Sequence, residues 1–417
     1  MASLSRRTLL QSGLASAVVL GGDMPGFLRR AIAQERLSPS SDDTLVVAVQ
    51  LAGGNDGLNT IVPYENDIYL RNRPTLSLKK KDVIPFQDGI GINAHMKGVF
   101  QLMEQGKLAV IHAVGYPHPN GDHNRAMEIW QTADPDNPDP ETGWLGRAAD
   151  HLVQSQVSGT SPIPATAPSV FISEIATPLT VIGRASVCVK AADPTSLTLD
   201  STFGSPAADE HSQGKAPETP DSVVNAGIAA SYRAAERIAD ALREARSGNT
   251  SYPDTLFARR LDFIARLIRA DLGTRIFCTE MGGSGPGSFD THSLQANNHS
   301  ELLGELSAGL ATFVEDLARD RLLDRVIIYT YSEFGRTIRE NGRRGTDHGA
   351  AAPMFLVGGG LRQTVLGEQP DLAEMENGGV KHSVDFRQVY ATILERKLGI
   401  PSQDVLGTSF EPLPILG

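Results

Sequence analysis

From residue 44 onward the chain alternates between two hydrophobic patterns. Short unbroken apolar runs read as strands covered on both faces: Thr44–Leu51, Leu108–Val114, Ser169–Ser173, Thr274–Thr279, Val326–Thr330 and Met354–Val357. Stretches with apolar residues every third or fourth position read as helices: His95–Gln105, Asn124–Ala133, Trp144–Gln154, Ser222–Arg246, Thr255–Leu272, Asn298–Arg319 and Asp385–Lys397. In the last of these, Phe386, Val389, Tyr390, Ile393 and Leu394 share a face, and Gly399-Ile400-Pro401 stops the helix. Strand–helix alternation of this kind predicts an α/β fold: a doubly wound, mainly parallel sheet sandwiched by helices.

Two stretches, 155–168 and 191–222, break the pattern with Pro, Ser, Thr, Gly and Asp. With the β-like piece between them they read as a loop-rich insertion around 155–222 on a single domain spanning 34–417. The first 33 residues read differently. Arg6-Arg7 lead into a weakly apolar run and a small-x-small site, Ala31-Ile32-Ala33, the layout of a twin-arginine export signal cleaved after Ala33. The expected partner there is the twin-arginine translocase, and the expected location is periplasmic or secreted. The run is too short and too rich in Gly and Ser to span a membrane well, so the mature form is expected to have no stable span.

Composition narrows the function. The 417 residues are 40% hydrophobic and 21% charged, as in an ordinary globular protein. Residues 1–33 carry Arg6, Arg7, Arg29 and Arg30 against Asp23, so their removal takes the net charge from −11 to −14. Basic runs are limited to Lys79-Lys80-Lys81 and Arg343-Arg344, which argues against nucleic acid as a partner. The 2 cysteines, Cys188 and Cys278, are too few for a disulfide scaffold; one bridge or two buried thiols both fit. There is no G-x-G-x-x-G after the first strand and no C-x-x-C-H, so a redox cofactor has no motif to bind.

The chemistry-bearing residues fall where strands end. Asp56 follows the first strand in a Gly-rich turn, and Asp122, His123 and Arg125 follow the second. Asp290 and His292 follow the strand at 274–279, and Glu333, Asp347 and His348 follow the one at 326–330. In open parallel sheets ligands bind outside the carboxyl ends of the strands. Crowded acids and histidines there suit one or two divalent metal ions (Zn, Mg, Ca or Mn), with Asp56, Asp290, His292, Glu333, Asp347 and His348 as candidate ligands. Arg125, Arg336 and Arg387, with a helix N-terminus near His123, are candidates for gripping an anion. Each residue also has a plainer reading: an Asp after a Gly turn often caps a helix, and Glu333 can simply pair with Arg336 or Arg339 at a surface.

The pieces "GGNDGLNTIVPY", "YLRNRPTL", "HAVGYPHPN", "GWLGRAAD", "FDTHSLQ", "SEFGRTIRENGRRGTDHGAA" and "VDFRQVYATIL" resemble the bacterial family called domain of unknown function 1501 over nearly the whole mature chain. That family is regarded as a branch of the alkaline phosphatase and sulfatase superfamily. The resemblance implies an alkaline phosphatase-like fold with metal ligands on Asp56, Asp290, His292, Glu333, Asp347 and His348. It also implies a nucleophile position in the turn 121–124, where relatives carry Arg-Ser-His-Phe and this chain has Gly121-Asp122-His123-Asn124. No Cys-x-Pro-x-Arg sulfatase motif is present.

The expectation is therefore a metal-dependent hydrolase of a phosphate or sulfate ester, on a small-molecule or polymer substrate. Asp122, His123, Arg125 and Arg387 are the expected catalytic groups, with Asp122 as nucleophile or base. The alternative is a non-catalytic exported binding or assembly protein that keeps the fold.

Overall fold

The computed structural model describes residues 44–157, 167–186, 188–192, 197–198, 250–282 and 287–417. The expected export signal, most of the expected insertion and the expected helix Ser222–Arg246 lie outside these residues. Every strand expected from an apolar run is present, as Leu45–Leu51, Leu108–Gly115, Ser169–Ile172, Ile276–Met281, Val326–Tyr331 and Ala352–Gly358. They share one sheet. Leu45–Leu51 lies at its centre, flanked in parallel by Val326–Tyr331 and Ile276–Met281.

Ser169–Ile172 continues the sheet on one side and Ala352–Gly358, then Leu108–Gly115, on the other. Ala352–Gly358 is antiparallel to both its neighbours, so Leu108–Gly115 again points the same way as Val326–Tyr331. The strand Cys188–Ala191 pairs in parallel with Ser169–Ile172, so this part of the expected insertion belongs to the main sheet. The β-like piece is legible in the sequence, but its pairing with the main sheet is not. Cys188 and Cys278 are buried on strands separated by the intervening strand Ser169–Ile172.

Successive residues of a strand face opposite sides, and here both sides are covered. Val47 and Val49 join a core with Phe263, Leu303 and Phe313 from the helices Leu256–Ala270 and Gln295–Arg319. Val46 and Ala48 join the other core with Trp130, Trp144 and Tyr390 from the helices His123–Thr132, Trp144–Val157 and Phe386–Ile393. The protein is thus an α/β sandwich with a mainly parallel central sheet. Among the described residues no helix is long and apolar enough to cross a membrane.

This arrangement sends the turns after Leu51, Met281 and Tyr331 to one rim, because those three strands are parallel neighbours. The turn after Gly115 joins them, its strand running the same way. Ala352–Gly358 runs oppositely, so the segment entering it, Asp347–Ala351, arrives at that rim too.

Candidate metal centre

Local structure explains why the rim loops converge. The helix Gln295–Arg319 has no side-chain cap; the carbonyls of Arg343 and Arg344 accept from Leu294 N–H (3.0 Å) and Gln295 N–H (2.9 Å) instead. Thr346 N–H donates to the Thr291 carbonyl at 3.1 Å. These bonds fasten the segment bearing Asp347 and His348 to the one bearing Asp290 and His292. Gly53 turns the chain after the central strand at φ +116°, a backbone region that side chains avoid. A Cβ there would lie 2.3 Å from Asp290 N, so only glycine admits the Asp290 loop.

Arg336 ties the loops from inside. Fully buried, it donates from Nε to the Gly54 carbonyl (2.9 Å) and from Nη1 to the Thr346 carbonyl (3.0 Å). Its Nη2 donates to the Gly53 and Phe289 carbonyls and to Asp290 Oδ1, the last at 2.6 Å.

Three histidines surround that same Asp290 oxygen. His292 Nε2 lies 3.0 Å from it, and His123 Nε2 and His348 Nε2 each 3.5 Å. His292 Nε2 and His348 Nε2 are 2.9 Å apart. The opposite nitrogen of every ring is engaged. His123 Nδ1 meets Glu333 Oε1 at 3.0 Å, His292 Nδ1 meets Asp347 Oδ1 at 3.0 Å, and His348 Nδ1 meets the Gly121 carbonyl at 2.7 Å. An ionised carboxylate and a carbonyl only accept, so each Nδ1 carries the proton. When the rings are neutral, three unprotonated Nε2 atoms face a carboxylate oxygen. Lone pairs at 2.9 to 3.5 Å repel unless a cation or proton lies among them.

The donor set fits a small divalent ion. A tetrahedral centre with bonds of about 2.0–2.1 Å places its ligand atoms about 3.3 Å apart. Carboxylate or carbonyl partners on the far nitrogen are also what orients a metal-binding histidine. His123, Asp290 and His348 offer ligand atoms within 4.8 Å of one another.

Charge follows the same layout. Burial alone would raise the Asp290 carboxyl, but the hydrogen bond and charge of Arg336, with His292 and His123, bring it below the ordinary carboxylate range. The Glu333 hydrogen bond raises His123 above its usual value against the effect of burial. Burial lowers His348, with the Gly121 carbonyl opposing. The Asn341 amide holds Asp347 down.

Of the residues singled out in the sequence, the structure gathers Asp290, His292, Glu333, Asp347, His348, His123 and Arg336. Glu333 and Asp347 act one step back, through the histidines. His123, expected as a catalytic group, presents Nε2 to Asp290 Oδ1 alongside His292 and His348. Four residues are engaged elsewhere. Asp56 is fully buried, and Arg73 takes both its oxygens at 2.7 and 2.9 Å, with Gln295 on Oδ2, so both oxygens are already engaged by other partners. Arg125 donates to Glu128 (2.6 Å) and the Pro135 carbonyl (2.7 Å), and Arg387 to both oxygens of Asp385 (2.9 and 2.6 Å). Asp122 caps its helix, accepting from Arg125 N–H at 3.0 Å. Arg73, placed by the helix Asp67–Asn72, was missed: nothing in its spacing from Asp56 marks it as that acid's partner.

A family model described as "protein of unknown function (DUF1501)" matches residues 43–410. The chain belongs to this family. No curated protein matches it. Solved structures similar to it include the C-terminal periplasmic domain of EptC from Escherichia coli, at 8% identity over 77% of this chain and 74% of that one, TM-score 0.38. The lipoteichoic acid synthase LtaP from Listeria monocytogenes matches at 10% identity over 88% and 76%, TM-score 0.38. The PsFucS1 sulfatase from Pseudoalteromonas sp. matches at 11% over 94% and 75%, TM-score 0.38. These scores are low, and the α/β assignment of this DUF1501 protein stands on its own sheet order.

Proposed function

We propose that this chain is an exported metal-dependent hydrolase of a phosphate or sulfate ester. The observation that carries the reading is the convergence of three Nε2 lone pairs on Asp290 Oδ1, each ring held by a partner on Nδ1. A divalent cation bound there supplies Lewis acidity, polarising an ester oxygen and making a water more acidic. The chain's own residues do the rest. Glu333 and Asp347 fix the ring orientation, and Arg336 balances Asp290. The helix His123–Thr132 begins at the cluster, so its positive dipole end favours an anionic substrate. With Asp122 serving as a cap, no side-chain nucleophile is invoked.

A binding or assembly role without turnover is the second reading. It draws support from Arg125 and Arg387, whose guanidiniums are already engaged by Glu128 and Asp385 and not held ready for an anion. Purified mature protein assayed on aryl phosphates and aryl sulfates, with and without chelator, separates the two. Turnover that chelator removes and added metal restores is expected. Metal binding without turnover of any ester would leave the binding role.

A further inference from the structure

We propose that the centre takes a single ion of the zinc class, because arginine side chains already fill the place of a second cation. The inference rests on the metal reading above and concerns what kind of site it is.

Four carboxylates sit at or beneath the rim, which by number suits two metal ions bridged a few ångströms apart. Their partners say otherwise. Asp56 lies in a closed bidentate grip from Arg73, and that guanidinium also donates to Asn59 Oδ1 (2.7 Å) and to the carbonyls of Thr337 (2.8 Å) and Ile338 (2.9 Å). No N–H of that fork is left to exchange, and both side chains are fully buried. Glu333 accepts from Gly53 N–H (2.8 Å) and His123, and Ser332 Oγ lies 3.2 Å from its second oxygen. Asp347 is shared by Asn341 and His292. Of these four acids, Asp290 is the one that turns an oxygen to the Nε2 side of the histidines.

Formal charge agrees. With neutral histidines, Asp56, Asp290, Glu333 and Asp347 carry four negative charges against two positive from Arg73 and Arg336. One divalent ion brings the assembly to neutrality; a second would leave an excess of two beside buried guanidiniums. Ligand type fixes the class. The ligand atoms that lie mutually close, two imidazoles (His123 and His348) and one carboxylate (Asp290), suit Zn²⁺ or Co²⁺, whereas Mg²⁺ and Ca²⁺ take oxygen ligands and waters.

The test counts ions and measures affinity without assaying activity. Mature protein is stripped with chelator, titrated with Zn²⁺ against a chromophoric chelator, and weighed by native mass spectrometry. One zinc per chain is expected, undisturbed by excess Mg²⁺ or Ca²⁺, and Co²⁺ loading should give the intense visible bands of a tetrahedral site. Asp347→Asn and Glu333→Gln should each keep one ion while weakening affinity about 10–100-fold, since both act through a histidine. Asp347 is exposed, so its variant tests the point even if the Glu333 variant fails to fold. Two ions per chain, ready displacement by Mg²⁺ or Ca²⁺, or unchanged affinity in Asp347→Asn overturns this inference and leaves a metal-dependent hydrolase standing. No bound ion at all overturns the metal reading as well.

Discussion

Arg73 grips Asp56 through both terminal nitrogens, at 2.7 and 2.9 Å, with both side chains at 0% exposure. Sixteen residues lie between them in the chain, and the Gln295 amide, from the helix Gln295–Arg319, also donates to Asp56 Oδ2. Burial opposes a charged Asp56, and the charge and hydrogen bonds of Arg73 overcome it, so the carboxyl is held below its ordinary range.

Removing one partner of this pair strands the other. Asp56→Asn leaves a buried guanidinium without its counter-charge, and a loss of about 3–5 kcal/mol is expected. Urea unfolding at neutral pH measures it. If Asp56 were instead a ligand whose charge is neutralised by metal, the variant would lose zinc affinity with little change in the stability of the metal-free protein.

The sequence made the sheet legible because strands buried on both faces are written as largely apolar runs, and in Val326–Tyr331 Thr330 is the one small polar side chain apart from the tyrosine hydroxyls. Direction was not legible. Ala352–Gly358 is mainly apolar like its neighbours, and only its pairing shows that it runs the other way. For the site, the position of His292 or His348 just past a strand marked it for the rim. What stayed hidden was partner choice: Asp56 and Asp290 look alike in their turns, yet one faces Arg73 and the other the histidines. That is decided by contacts hundreds of residues apart, such as Gln295 to Asp56 and Arg336 to Gly54.

The turn at 121–124 yields a prediction about Asp122. As a helix cap its loss costs about 1 kcal/mol, so Asp122→Ala should lower the melting temperature modestly, and Asp122→Ser, which keeps a capping oxygen, should restore it. Thermal denaturation of both variants decides this. A full loss of turnover in both, at normal stability, would return Asp122 to the role of nucleophile.

Gly53 offers a steric test. Gly53→Ala puts a methyl group 2.3 Å from Asp290 N in a backbone region that side chains avoid. Strain alone costs about 1–3 kcal/mol, and the Asp290 loop must also move away. The variant should be less stable and bind zinc more weakly than wild type. A melting curve and zinc isotherm matching wild type would show that this turn does not set the position of Asp290.

The final prediction concerns acid stability away from the metal centre. His112 sits where the strand Leu108–Gly115 bulges: Ala352 pairs with Val114 but Met354 with Ile111, so His112 and Ala113 both face Pro353, which has no N–H to offer. The bulge turns His112 toward a cavity of about 30 Å³, walled by Leu58, Ile61, Ile90 and Val380, and leaves its buried Nε2 without a protein partner. Burial lowers its pKa to about 4, and burial does the same to His299, also to about 4. A histidine depressed in the folded state is protonated first in the unfolded chain, so its contribution is complete above about pH 6.5 and fades as pH falls toward 4. Each should account for about 3 kcal/mol across that window. His112→Leu removes one such group and fills apolar space with an apolar side chain. Its stability, measured by urea unfolding of metal-free protein at pH 7, 6 and 5, should fall less steeply than wild type by up to about 1.4 kcal/mol per pH unit. Parallel pH profiles for the two proteins would mean that His112 is protonated in the fold, with a water or an unseen partner reaching Nε2.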